Sequence, residues 1–241
     1  MPDSNSETDS LWSLRRMVAR LERAVLTPVR ALRPEYVPLL MVYFAYGAMG
    51  LIAVAKEFWI KQSLTLTPAE LAAIAVWLNV PWTIKMVFGE LVDTVPVLGS
   101  RRRGFVFIGG GLIAAGMILL WVAAAGVAPG ISRNTLYVLA SLLSVVGLVL
   151  QDVTADAMST EVVARVHADG APRDKADVDR DLGMVQVLGR LSLALGAFIT
   201  AGLAGWAAYN LPYATVFLVG LIVPAISISG ALLVKLDTPE V

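Results

Sequence analysis

The sequence predicts an all-α integral membrane protein of six transmembrane helices with both termini on the cytoplasmic side. Three observations predict it. Hydrophobic residues make up 57% of the 241 and charged residues only 16%, too few charges to coat a soluble domain of this size. The apolar residues gather into six long runs, and a helix needs about 20 such residues to cross a bilayer. The basic residues crowd the connections on one side.

The six runs lie at roughly 37–55, 68–92, 104–125, 135–157, 182–204 and 213–234. The second has a marked start. Thr67, Pro68 and Glu70 fit a capping box, with threonine as N-cap, proline at the first helical position and glutamate reaching back. Pro81 falls inside that run and predicts a kink near Trp77, because its missing N–H frees a carbonyl one turn earlier. Pro224 predicts the same in the sixth run.

Orientation follows from charge. Arg15, Arg16, Arg20, Arg23, Arg30 and Arg33 precede the first run. Arg101, Arg102 and Arg103 join the second to the third. Arg165, Arg173, Lys175 and Arg180 join the fourth to the fifth, and Lys235 follows the sixth: fourteen of the nineteen basic residues. The opposite loops are expected to hold only Lys56, Lys61 and Arg133. That bias sets both ends inside. Residues 1–10 read as a disordered start, 11–35 as a basic amphipathic helix lying on the membrane surface, and 36–241 as the six-helix bundle.

Other classes are excluded by composition. The formal net charge is zero, so no global field argues for nucleic acid. There is no cysteine, and His167 is the single histidine, which leaves no set of soft ligands for a metal or haem. No metal and no cofactor are expected. His167 and its neighbours in the charged stretch 159–181 read as a flexible, solvated connection.

Four ionisable residues stand where apolar ones are expected. Lys85, Asp152 and Arg190 fall inside runs, and Asp156 near the end of one. Such a residue costs about 2.5–3.5 kcal/mol at mid-helix on insertion scales, so it faces the bundle interior and is paired. Asp152 and Asp156 are four apart and share a helix face. Two readings stay open: an inner-gate salt-bridge network, or a proton or substrate site. Lys85 alone could also snorkel to the interface. Small residues mark helix contacts at Gly109–Gly111, Gly116, Gly189, Ser192 and Gly196.

The stretch 77–105, WLNVPWTIKMVFGELVDTVPVLGSRRRGF, is the most specific. Gly89 is expected to let another helix come close, Asp93 lies one turn on, Pro96 and Gly99 shape a tight connection, and Arg101, Arg102 and Arg103 anchor the next helix. The pattern resembles the glycine–aspartate–arginine loop between helices two and three of the major facilitator superfamily. With Pro81, Trp82 and Lys85 ahead of it, and with the segments at 43–50, 151–163 and 183–190, the chain resembles the folate–biopterin transporter family. Only the N-terminal six-helix half of that twelve-helix family is matched.

The resemblance implies one half of a major-facilitator-type bundle in the cell inner membrane. It implies a secondary transporter moving folate- or pterin-type organic anions by proton-coupled alternating access, and not an enzyme. A second six-helix half would complete it, as a homodimer or another membrane subunit. Tyr43, Tyr46, Trp77 and Trp82 could stack a flat pteridine or simply pack, and Asn79 and Gln186 could bond its edge or another helix. The alternative is a non-transporting structural or assembly subunit of a larger membrane complex, of the light-harvesting type.

Overall fold

The structure, a computed structural model, describes residues 27–97, 99–167 and 169–233. Among these are six helices long and apolar enough to cross a membrane: α1 (Pro34–Ser63), α2 (Pro68–Thr94), α3 (Arg103–Ala125), α4 (Arg133–Glu161), α5 (Lys175–Asn210) and α6 (Tyr213–Leu233). All six expected runs are present, and the chain is a multi-pass membrane protein. The expected disordered start and most of the amphipathic helix over 11–35 lie outside the described residues, as does Lys235.

Several expected boundaries move. α1 extends well past residue 55 through a short 3-10 stretch, Met49–Ile52, so Lys56 and Lys61 sit on a helix and not in a loop. Apolar Phe58, Trp59 and Ile60 carry the helix onward, and Trp59 and Ile60 are buried. The stretch 159–181 is more ordered than its charge suggested. α4 runs to Glu161, α5 already starts at Lys175, and Asp174 caps it by accepting from the Ala176 N–H at 3.2 Å. Arg173 braces the turn, donating to the Ala164 carbonyl and to Asp181, both at 2.8 Å.

The capping box that starts α2 is formed: the Thr67 N–H donates to Glu70 at 2.8 Å, and the Glu70 N–H to Thr67 Oγ1 at 3.3 Å. Pro81 does not break α2 near Trp77 as expected. The helix runs through the proline and breaks at Ile84, whose ψ of 19° leaves the helical region. Around the proline, Asn79 donates to the Ala75 carbonyl and Thr83 to the Asn79 carbonyl. In α6 the break falls between Val219 and Ile222, ahead of Pro224, where a proline removes its bond to the preceding turn.

Packing follows the small residues. α3 lies along α4, with Gly109 facing Gly147; a Cβ on either would come within 2.8 or 2.5 Å of the other's carbonyl oxygen. α5 lies along α1, where Gly196 abuts the Phe44 carbonyl and Ser192 donates to the Leu40 carbonyl at 2.7 Å. α6 fills the space between α1 and α3. This leaves α2, resting mainly on α4, and α5, resting mainly on α1, at opposite edges. These two are also the least buried of the six. Between them α1 and α4 present the face that carries the charges.

Candidate functional site

The break at Ile84 makes Lys85 the first residue of a new helical segment, Lys85–Thr94. That position points its ammonium at α4. Lys85 Nζ lies 2.5 Å from Asp152 Oδ2 and 3.0 Å from Asp156 Oδ2. The two carboxylates share one face one turn apart, so a single cation reaches both. Tyr43 of α1 donates its hydroxyl to Asp156 Oδ1 at 3.0 Å. The site is only partly covered: the side chains of Lys85, Asp152 and Asp156 are 35%, 10% and 41% exposed.

Other candidates surround this bridge or stand apart from it. Tyr46 and Trp82 form a tilted pair with centroids 6.3 Å apart. Tyr43 packs its ring on Gly189 of α5, where a Cβ would come within 2.8 Å; that glycine sets the tyrosine against Asp156. Gln186 donates to Ser159 Oγ at 2.7 Å, and Ser159 donates to the Asp156 carbonyl at 2.6 Å, which ties α5 to the same turn of α4. Asn79 is turned to its own helix. Trp77 is 72% exposed and away from the charges. Arg190 is not drawn into the bridge: it is exposed on α5 and makes no ion pair among the described residues.

A second cluster closes the far end of the Lys85–Thr94 segment. Gly99 takes a φ of +75°, and the turn around it pairs Val97 with Ser100. Ser100 Oγ then accepts from the Arg103 N–H at 2.9 Å at the start of α3. Arg102 reaches back under the turn. Its Nη1 donates to Asp93 Oδ1 at 2.7 Å and to the Val92 carbonyl at 3.1 Å, and its Nε and Nη2 grip Glu161 at the end of α4 at 3.0 and 2.5 Å. Burial works against its charge, and Glu161 and Asp93 outweigh that and hold the guanidinium above its ordinary pKa. Arg103 Nε donates to the Ala231 carbonyl of α6 at 3.1 Å. Arg101 and Pro96 are exposed. Among the described residues, a Cβ at Gly89 would meet only Val153, at 3.8 Å, so no helix of this chain approaches closely there.

Glu161 is the residue sequence reasoning missed. A signal was present: an acid in the last turn of a helix opposes the helix dipole, so it asks for a cation nearby.

The described residues thus form a bundle of six membrane-length helices that carries a partly covered ion bridge. By comparison with known proteins the chain belongs to the BT1 family, whose model matches residues 47–239. It is 30% identical over 201 residues to the folate-biopterin transporter of Synechocystis, covering 83% of this chain and 37% of that protein. It is 26% identical over 197 residues to the probable folate-biopterin transporter 4 of Arabidopsis thaliana, covering 81% and 37%. Folate transporter 1 of Plasmodium falciparum matches at 25% over 103 residues, 43% of this chain and 19% of its own length. The chain thus spans little more than a third of the first two relatives. No solved structure matches. Lys85, Asp152, Asp156, Glu161 and Arg190 lie inside the family match, while Tyr43 and Tyr46 precede it.

Proposed function

We propose that this chain forms one half of a secondary transporter that carries folate- or pterin-type organic anions by proton-coupled alternating access. Family membership carries the transport reading, and the relatives' names supply the substrate class. The Lys85–Asp152–Asp156 bridge supports a site for a proton or a polar substrate, because charge kept within apolar spans marks ion and substrate paths. Tyr46 and Trp82 beside it offer flat surfaces for a heterocycle.

The open face supports the need for a second six-helix half. Half-exposed charges at membrane depth cannot face lipid cheaply, and α2 and α5 stand as free edges on either side of them. A two-fold axis along the membrane normal would set the α2 edge of one half against the α5 edge of the other. Another copy of the chain or a separate membrane subunit would satisfy this geometry. Both termini face the cytoplasm in this reading, as the arginine distribution argues.

Reconstitution in liposomes tests it. Radiolabelled folic acid should accumulate under an inward proton gradient, and a protonophore should abolish the accumulation. An intact, folded chain that takes up neither folic acid nor a reduced pterin would favour a structural subunit instead. In cells, a cysteine at Ser132 should react with an impermeant reagent added outside, while one at Ser100 should not; the reverse pattern overturns the orientation.

A further inference from the structure

Resting on the proton-coupled reading, we propose that Asp156, and not Asp152, is the carboxylate that takes up and releases the coupling proton.

The argument begins with a charge count. One ammonium, Lys85, faces two carboxylates. Tyr43 and Tyr46 of α1 and Arg190 of α5 are the other titratable groups within electrostatic reach. The tyrosines bring no charge, and Arg190 makes no ion pair among the described residues. At contact distance the cluster is one negative charge in excess, and two like charges one turn apart in a medium poorer than water disfavour each other. A proton on either carboxylate removes the excess.

Geometry chooses between them. Asp152 is the closer partner of Lys85, at 2.5 Å, and its side chain is 10% exposed. Asp156 is held at 3.0 Å and is 41% exposed on the open face, so it is the more accessible of the two. Its two oxygens have separate partners: Oδ1 accepts from Tyr43 and Oδ2 from Lys85. A proton arriving on Oδ2 therefore displaces one donor, the Lys85 ammonium, and leaves the tyrosine bond in place. The cluster passes from a net charge of minus one to zero, made of a Lys85–Asp152 ion pair and a neutral Asp156 acid. The bond that breaks is one of the two holding the start of the Lys85–Thr94 segment to α4. Proton uptake is thereby coupled to the grip on a segment that begins at a helix break.

The full chain in liposomes, with radiolabelled folic acid as probe, supplies the test. Asp156→Asn should lose proton-driven accumulation by about tenfold or more, within the usual range of coupling between two sites, and keep exchange at equal pH on both sides. Asp156→Glu should restore part of the accumulation. Asp152→Asn should lose accumulation and exchange together. If the wild type accumulates folic acid on a proton gradient and Asp156→Asn does so equally, the assignment fails and the coupled reading stands. If the wild type shows no proton-driven uptake, both fall. A readout without transport covers variants that fold poorly or lack activity: infrared difference spectra of the purified chain on acidification. The other acids of the chain give a protonated carboxyl band in every variant, so the readout is its Asp156 component: this should be present in the wild type and in Asp152→Glu and missing from Asp156→Asn, and a band in Asp156→Asn identical to the wild type's overturns the proposal.

Discussion

Two cations bind the same short helical segment to α4, one at each end, and they do so in different ways. Arg102 is 9% exposed at its side chain and spends its donors on Asp93, the Val92 carbonyl and Glu161, partners from two helices. Lys85 is 35% exposed and reaches two carboxylates of one helix. A planar guanidinium with a fixed fork can be fully satisfied by spread partners, while a compact ammonium can pass between neighbouring ones. In the reading proposed above, the Arg102 end is the fastening and the Lys85 end the switch.

Removing the fastening should have the largest effect. Arg102→Met leaves Glu161 and Asp93 without their cation and the Val92 carbonyl without its donor. The guanidinium is buried, but Asp93 and Glu161 are 60% and 42% exposed and rehydrate, so the cost comes from the lost charge-assisted bonds and the unpaired Val92 carbonyl, about 2–4 kcal/mol. The purified variant should unfold at clearly lower temperature, and Glu161→Gln should lose less, because Asp93 still pairs the arginine. Equal stability of Arg102→Met and wild type would remove the contrast between the two ends.

Altering the switch should cost less and should be rescued. Lys85 bonds two groups where Arg102 bonds three, so Lys85→Met should lose about 1–3 kcal/mol. Adding Asp156→Asn should recover part of that, and adding Asp152→Asn should recover more, since Asp152 is the less exposed of the two. A double-mutant cycle by thermal unfolding reads this coupling. Strictly additive losses would show that the three charges act separately. Arg190→Gln, outside the bridge, should be neutral in the same cycle.

Much of this arrangement is legible in the sequence. Six spans followed from apolar length, and Lys85, Asp152 and Asp156 stood out as charges in apolar runs. Four-residue spacing alone put the two aspartates on one face. The missing pieces depended on tertiary packing. Arg190 is, like Lys85, a cation in an apolar run, and the placement of α5 on the outer edge leaves it out of the bridge. Tyr43 read as an aromatic surface, yet its hydroxyl matters here because Gly189 lets the ring settle beside Asp156. The break at Ile84 comes three residues after Pro81 and not one turn before it. Lys56 and Lys61 were expected in a loop because charge ended the apolar count, while α1 continued on Phe58, Trp59 and Ile60.

The smallest effect is expected between the two ends, at Gly89, and its sign is informative. The resemblance to a glycine–aspartate–arginine loop makes Gly89 the position where a side chain should be forbidden. The packing says otherwise: its backbone is helical, and a Cβ would meet Val153 at 3.8 Å, ordinary contact. Glycine inside a helix costs about 0.5–1 kcal/mol relative to alanine, so Gly89→Ala should leave thermal stability unchanged or raise it slightly. Gly109→Ala, by contrast, would press a methyl against the Gly147 carbonyl and Gln151 and should destabilise. A marked loss of stability in Gly89→Ala would mean that another helix presses on this face of α2, and that the segment between the two cations is held by packing as well as by charge. Unchanged stability with impaired folic acid uptake would separate the two roles, placing the need for glycine in a conformation that the segment reaches only after Lys85 lets go.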